Sequence, residues 1–368
     1  MLVIRWQEEG TSKFVLIDDE EKTLSTFNSG SCNKNNIGFD NALKNVSDGI
    51  IGLLTAAKKE KSQIAGICLT TAGCTMNSDK EQWKAAIATF LEDKDQSVRI
   101  EVHNDSVGDV ASVCPKTMSG IVCIVGTGFI VCGYNGDPNV EYRAGGWGPL
   151  FGDSASGYFM GEKVLKAAAL YYDICGDAET RFVALDDEQK ETTTESAQKV
   201  VDSAKNPKET ESEKLVLEYG GSELLYRRVM KKAKVKQFPE MVDWAYNAED
   251  KYNQVAACAL LALESYGDCV VAKKIVENAV DAMIVRLILV LNKMHPVEVF
   301  NSGAKDKITV ICGGSVMLKS DLFLDIVKRE LAVKLKGDGR QKYIEFVRPQ
   351  REPQLGGALY IKHKCETS

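Results

Sequence analysis

Two neighbouring glycine-rich segments constrain this chain more than any other feature of its sequence. The first, GIVCIVGTGFIVCG, places Gly-Thr-Gly between two apolar runs, which predicts a tight β-hairpin. Such a turn presents backbone N–H groups and one hydroxyl, which are the donors that bind an anion such as phosphate. The second, GGWGPLFGDSASGYFMG, combines several glycines with Trp147 and Asp153 and leads into a helix. Together the two segments suit a hydroxyl-rich ligand bound beside a phosphate.

Composition restricts the class of protein and its partners. A chain of 368 residues is long enough for two domains with separate cores. A net charge of −6 argues against nucleic acid and against an anionic membrane as partners. No signal-peptide pattern opens the sequence, and no apolar run is long enough to span a bilayer. The 11 cysteines include no C-x-x-C pair, which is typical of reduced thiols and predicts a cytoplasmic protein.

The order of predicted elements indicates an α/β protein with two lobes. The first third reads β-β-α-β-α-β-α, and its first helix, over 40–59, repeats apolar residues at helical spacing. A capping box beginning at Ser78 predicts the start of the next helix. Pro115 and Gly120 then interrupt the pattern, so we place the domain boundary there.

The predicted domains are therefore an N-terminal lobe over 1–118 and a C-terminal lobe over 119–368. The second lobe carries a helical and acidic insertion at about 176–300. A Gly-Thr pair lies in the first turn of each lobe, at Gly10-Thr11 and at Gly126-Thr127. This weak internal duplication is typical of two-lobed nucleotide-binding folds.

Some candidate site residues have a structural alternative. Asp105 ends a predicted strand, and a carboxylate there can act as a base that accepts the proton of an attacking hydroxyl. The structural alternative is a helix N-cap at Asn104-Asp105, which the local sequence favours. Gly313-Gly314-Ser315 joins a buried strand to a helix; it suits a phosphate or adenosine, and a tight β-α turn explains it equally well. For Trp147, a core role and a ligand-binding role are equally supported. Four cysteines in apolar strand patterns are predicted core residues: Cys68, Cys123, Cys132 and Cys312.

The order of these parts resembles the actin/hexokinase/Hsp70 superfamily. Within it, the chain resembles the N-acetylglucosamine kinases and their relatives, the activator ATPases of 2-hydroxyacyl-CoA dehydratases; GGWG-x-x-x-GD is the most specific match. The resemblance implies two ribonuclease H-like lobes with mixed β-sheets flanked by helices and an active-site cleft between them. It also implies ATP and Mg²⁺ as cofactors, phosphorylation of an amino sugar (N-acetylglucosamine at O6), and a homodimer.

The resemblance further implies a role for individual residues. Asp105 matches the catalytic base and also binds the acceptor sugar. The other sugar-binding positions implied are Asn33, Gly145, Gly146, Trp147 and Asp153. The ATP-binding positions implied are Gly10, Thr11, Gly126, Thr127, Gly128, Gly313, Gly314 and Ser315. No side chain is predicted as a direct metal ligand.

The first phosphate turn departs from the family pattern. Where the family has Asp-Gly-Gly-Gly-Thr, this chain has Gln7-Glu8-Glu9-Gly10-Thr11. Glu8 and Glu9 thus stand near where the resemblance implies the β- and γ-phosphates, and their negative charges would repel those of the nucleotide. Each pair of like charges 4 Å apart costs about 1 kcal/mol in water and about 4 kcal/mol at an effective dielectric of 20. A relative that binds sugar or nucleotide without turnover is therefore the alternative hypothesis. An activator ATPase ranks last, because the sugar loop is retained and no counterpart of the interface cysteines is found.

Overall fold

The computed structural model describes residues 2–7, 11–74, 76–179, 211–302 and 307–367. The strands are β1 Leu2–Gln7, β2 Thr11–Ile17, β3 Thr23–Gly30, β4 Gly66–Thr70, β5 Arg99–His103, β6 Ser119–Val125, β7 Phe129–Asn135, β8 Tyr142–Gly145, β9 Ile308–Gly313 and β10 Ile344–Val347. The helices are α1 Lys34–Ile37, α2 Phe39–Ala57, α3 Asn77–Leu91, α4 Asp105–Val113, α5 Gly157–Glu179, α6 Glu211–Tyr219, α7 Glu223–Ala233, α8 Met241–Tyr246, α9 Lys251–Ala256, α10 Ala259–Glu264, α11 Val270–Met294, α12 Val297–Ser302, α13 Gly314–Lys319, α14 Asp321–Lys334 and α15 Pro353–Glu366.

The strands form two sheets with the same topology. The first sheet has the order β3-β2-β1-β4-β5 and the second has the order β10-β9-β6-β7-β8. In each, three strands form an antiparallel meander and two further strands add in parallel to the first strand of that meander. The fold class is therefore α/β with two mixed sheets, as the sequence predicted, and the shared topology fits the internal duplication.

Helices cover both faces of each sheet. On the outer face of the first sheet, α2 and α3 bury an apolar cluster that includes Val46, Ile50 and Trp83. The helical repeat predicted over 40–59 is confirmed, because Val46, Ile50 and Leu53 are completely buried. On the second sheet, α5, α7, α11 and α14 bury a larger cluster. Much of the helical middle of the chain therefore belongs to the core of the second lobe.

Between the two sheets lie α4 and α15. A third cluster joins Val15 and Cys68 of the first sheet to Val122 and Ile311 of the second through these two helices. The last helix, α15, packs on β1, β2 and β4 of the first sheet. Helix α4 packs on β4 of the first sheet and on β6 and β9 of the second. The two lobes are thus connected by a shared apolar layer rather than by a single linker.

Two local predictions differ from the structure. β3 was not expected, because its residues, TLSTFNSG, are mostly polar and mostly exposed at the sheet edge and so show no apolar alternation. The capping-box prediction at Ser78 is wrong: α3 begins at Asn77, and its N-cap is Met76, which makes no side-chain capping bond. The four predicted core cysteines are all completely buried. In the part of the chain described, every helix is too short or too polar to cross a bilayer.

Candidate active site

A cleft of about 1220 Å³ lies between the lobes, at the ends of the strands. The turns after β4, β5, β6 and β9 contribute to its walls, together with the segments that precede α9 and α15. Of the residues predicted to bind sugar or ATP, those lining it are Asp105, Thr127, Gly128, Gly146, Asp153, Gly313, Gly314 and Ser315. Five others are not part of this lining: Thr11, Asn33, Gly126, Gly145 and Trp147. Gly10, like Glu8 and Glu9, lies outside the described residues.

Asp105 stands where β5 gives way to α4. Asn104 is the N-cap, and its side-chain oxygen accepts a hydrogen bond from the Asp105 N–H at 2.9 Å. One carboxylate oxygen of Asp105 accepts from the Ser106 N–H at 3.0 Å. The capping function predicted for this pair therefore falls to Asn104, and Asp105 is the first helical residue, with its side chain in the cleft wall. Asp109, one helical turn later, is 4% exposed and also lines the cleft.

The Gly-Thr-Gly turn between β6 and β7 is held by the start of α5. Within the turn, the Gly126 N–H donates to the Gly128 carbonyl at 3.0 Å. From α5, the Gly157 N–H donates to the Gly126 carbonyl at 2.7 Å, and the Tyr158 N–H donates to the Thr127 carbonyl at 3.2 Å. Because N–H groups of α5 already donate hydrogen bonds to the carbonyls of the turn, its geometry is fixed before any ligand binds.

Asp153 connects the two glycine-rich segments. It is 6% exposed, and one of its oxygens accepts from the Trp147 N–H at 3.1 Å. The other oxygen accepts from the Phe129 N–H at 3.4 Å, next to the Gly-Thr-Gly turn. The carboxylate predicted to bind sugar is therefore engaged by backbone N–H groups of both segments while it lines the cleft.

Arg143 supports the same loop from the opposite side. Its guanidinium donates to the carbonyls of Gly145 at 3.1 Å and Gly146 at 2.5 Å. It also lies over the Trp147 ring, 5.3 Å from the ring centroid, in a cation–π contact. Trp147 is 69% exposed, so the core role considered for it is excluded. Arg143 was not predicted; its position two residues before the glycines was the only signal available.

The turn from β9 into α13 packs directly on the Gly-Thr-Gly turn. Gly314 has φ +75°, and a Cβ there would lie 2.4 Å from the Val125 carbonyl carbon. Glycine is needed both for this backbone conformation and for the close approach. The nearby Cys312 thiol lines the cleft, and burial raises its pKa to about 11, so it is a protonated wall residue at neutral pH.

Asn33 is placed beside the cleft and caps a helix. It is the N-cap of α1, and its side-chain oxygen accepts from the Asn35 N–H at 3.0 Å. Asn35 and Asn36 line the cleft instead. Thr11 opens β2 at an exposed position opposite Gly30.

Other functional candidates were missed by sequence reasoning. Lys13 from β2 lines the cleft and forms an ion pair with Glu352 at 3.7 Å. Asp109 lies four residues after Asp105, a spacing that places both on one helix face and would have revealed it. Asn253 from α9 contacts Thr127 across 126 positions of sequence, a separation at which no local pattern gives a signal.

Comparisons with known proteins place the chain in a family. The profile of the BadF/BadG/BcrA/BcrD ATPase family matches residues 10–360. The chain is 30% identical over 159 residues to an N-acetyl-D-glucosamine kinase from Dictyostelium discoideum, which is 41% of this chain and 49% of that protein. It is 35% identical over 115 residues to an N-acetylmuramic acid/N-acetylglucosamine kinase from Clostridium acetobutylicum, or 31% and 36% of the two chains. The matches thus span half or less of these curated relatives.

A solved structure supports the fold over the whole length. A candidate N-acetylglucosamine kinase from Porphyromonas gingivalis superposes with a TM-score of 0.55 and 17% identity, covering 99% of each chain. At this identity, the likeness concerns the fold alone. The family profile, by contrast, extends over nearly the entire sequence and includes both glycine-rich segments. This protein is therefore a member of the BadF/BadG/BcrA/BcrD ATPase family.

Proposed function

We propose that this protein is an ATP-dependent kinase of an amino sugar, with N-acetylglucosamine phosphorylated at O6. The observation that carries the proposal is the cleft itself, in which Asp105, the Gly-Thr-Gly turn and the Gly313–Ser315 turn face one space. The names of the partly matching relatives support the substrate class. The ATPase family supports ATP as the phosphoryl donor.

Asp105 is the catalytic base in this proposal. Its carboxylate accepts the proton of the O6 hydroxyl as that oxygen attacks the γ-phosphorus. The bond between the γ-phosphorus and the bridging oxygen breaks, and ADP leaves with the bonding electrons. The Ser106 N–H, 3.0 Å from one carboxylate oxygen, fixes the orientation of the base. The same carboxylate is the group assigned to the sugar hydroxyl.

Backbone N–H groups bind the phosphates in this proposal. The Gly-Thr-Gly turn offers donors already held in place by α5, and the turn before α13 offers a second set. The loop fixed by Arg143 and Asp153 positions the sugar, with Trp147 at the cleft's edge. Preorganised donors lower the barrier because they need no reorientation during the reaction.

The donor set of the cleft fits Mg²⁺ bound with the nucleotide. Mg²⁺ keeps several waters and is held by one or two carboxylates plus phosphate oxygens. Among the residues described, no three His, Cys, Asp or Glu side chains cluster tightly enough to enclose a metal ion. Asp109, buried in the cleft wall, is the carboxylate that would bind a water of the hydrated ion. The ion would neutralise charge on the β- and γ-phosphates.

The proposal also includes the oligomeric state and the location of the protein, which are a homodimer and the cytoplasm.

A coupled ADP-release assay tests the function. It uses ATP, Mg²⁺ and N-acetylglucosamine, with glucosamine, N-acetylmannosamine and glucose in parallel. We expect sugar-dependent ADP release that Asp105→Asn reduces by about 10²–10⁴-fold. Asp40→Asn is the matched control, since Asp40 also lies in the first turn of a helix but is not among the residues lining the cleft. Retained activity in Asp105→Asn would remove it as the base.

The alternative is a relative that binds ligand without turnover. It is favoured by Gln7, Glu8 and Glu9, which replace an aspartate and two glycines of the family's first phosphate turn. Thermal stabilisation by N-acetylglucosamine, with no effect of Mg²⁺ and ATP and no ADP release, would support this alternative. Clear turnover would exclude it.

The size-exclusion mass of the folded protein tests the homodimer in the same preparation.

A further inference from the structure

The hydroxyl of Thr127 already has a partner within the protein. It donates a hydrogen bond to the side-chain oxygen of Asn253, which lies on α9 in the helical middle of the chain. Both residues line the cleft. A threonine hydroxyl has one hydrogen and two lone pairs, so this contact uses its entire donor capacity.

The orientation of the Asn253 amide is determined by Asp250. The Asn253 side-chain nitrogen donates to one Asp250 oxygen at 2.6 Å, and the Asn253 backbone N–H donates to the other at 3.2 Å. A carboxylate accepts hydrogen bonds and donates none, so the amino group must face Asp250. The amide oxygen is consequently directed at Thr127, and it can only accept there.

The packing of α9 on α5 prevents the network from shifting as a unit. A Cβ on Gly161 of α5 would lie 1.9 Å from the Val255 carbonyl, and one on Gly157 would lie 3.4 Å from the Ala256 carbonyl. These two helices therefore touch backbone to backbone beside the Gly-Thr-Gly turn. Asn253 is held in place by its own helix as well as by Asp250.

We infer that Asn253, oriented by Asp250, is a positioning residue that makes the Thr127 hydroxyl a hydrogen-bond acceptor toward the cleft. A phosphate oxygen without a proton then bonds to the N–H groups of the turn and not to Thr127. The Thr127 oxygen accepts from an O–H group, which is either a sugar hydroxyl or a water bound to the metal of the nucleotide complex. The inference rests on the proposed function for the identity of these ligands.

Calorimetry on the full-length protein tests this assignment without requiring turnover. The affinities to be measured are those for N-acetylglucosamine alone and for Mg²⁺ with a non-hydrolysable ATP analogue. We expect Asn253→Ala to weaken one of them by about 3–10-fold, the effect of one neutral hydrogen bond. Loss in the sugar titration identifies a sugar hydroxyl as the donor, and loss in the nucleotide titration identifies metal-bound water. Asn247→Ala is the matched control, because Asn247 also donates to an aspartate, Asp243, at an exposed helix end.

A double-mutant cycle separates positioning from a general structural effect. In Thr127→Val, which lacks the hydroxyl, Asn253→Ala should change neither affinity further; in Thr127→Ser, which keeps it, the loss should persist. Asp250→Asn removes the carboxylate that orients the amide and should weaken the same ligand, so it serves if Asn253→Ala does not fold.

The inference would be overturned by additive effects in the cycle, by unchanged affinities in Asn253→Ala, or by tighter nucleotide binding in that variant. The last would mean that Thr127 donates to phosphate and that Asn253 competes for it. Absence of phosphoryl transfer by the wild-type protein, with ligand binding intact, defeats the proposed function and leaves this test unaffected. Absence of binding by either ligand to the wild-type protein would overturn both.

Discussion

Replacing Gly314 with alanine should displace the Gly-Thr-Gly turn, because backbone atoms occupy the space that the added methyl group needs. Its Cβ would lie 2.4 Å from the Val125 carbonyl carbon, 2.5 Å from the Val125 oxygen and 2.6 Å from the Gly126 nitrogen. All three are backbone atoms, which cannot rotate away as a flexible side chain can. Gly314 also has φ +75°, a conformation that alanine adopts only with strain.

The magnitude follows from these two contributions. The left-handed backbone costs about 1–2 kcal/mol for a residue with a Cβ, and forcing a methyl group into packed structure costs about 1–3 kcal/mol more. We therefore expect Gly314→Ala to lower the free energy of unfolding by about 2–5 kcal/mol. Gly337→Ala is the matched control: its φ is +86° and no atom lies within 4 Å of its Cβ position. Only the strain of about 1–2 kcal/mol applies there.

Urea unfolding followed by circular dichroism measures both variants under the same conditions. We expect Gly314→Ala to lose more stability than Gly337→Ala, and to bind the ATP analogue more weakly than the wild-type protein does in calorimetry. Equal destabilisation of the two would refute it, since the contacts with Val125 and Gly126 would then have no energetic weight.

Three further predictions concern buried polar groups. Asp153→Asn should lower the free energy of unfolding by about 1.5–3 kcal/mol in urea melts, because its charged oxygens accept backbone N–H bonds; an unchanged value would contradict this. Burial lowers the pKa of His103 below 6.5, so the unfolded chain binds more protons, and the free energy of unfolding should fall as pH decreases from 7 to 5. In His103→Phe that slope should be shallower, and an identical slope would show the reasoning to be mistaken. Burial raises the pKa of the Cys74 thiol to about 11, so iodoacetamide at pH 7.5 should label Cys74 only upon unfolding, as peptide mass spectrometry would show.

The parts of the fold that could be predicted from sequence are those with a local pattern. α2 shows its buried face in the spacing of Val46, Ile50 and Leu53, and the buried strands appear as apolar runs. β3 has no such pattern, because an edge strand with polar side chains on both faces resembles a loop in sequence. The sequence places the start of α3 at Ser78, because serine is a favourable N-cap, but in the structure Ser78 lies inside the helix and Met76 is the N-cap.

The residues of the candidate site could likewise be predicted only where they belong to a local sequence pattern. Asp105 and the glycine turns could be found because strand ends and tight turns leave a signature in a few consecutive residues. What those residues bond to could not be predicted. The partners of Asp153 lie 6 and 24 residues away, and the partner of Thr127 lies 126 residues away. Hydrogen bonds at such separations depend on how the helices pack, which no short sequence pattern encodes.

The packing of the last helix, α15, on the first sheet has a consequence for how the chain folds during synthesis. Strands β1 to β5 are complete at His103, yet the helix that covers their inner face begins only at Pro353. At about 5–20 residues per second, the ribosome needs roughly 10–50 s to make the intervening segment. Throughout that time Val15, Ile17 and Cys68 lack the apolar partners that α15 provides. The first sheet to be translated is thus among the last parts of the protein to be completed, and we expect its apolar inner face to promote aggregation of the nascent chain until α15 is made.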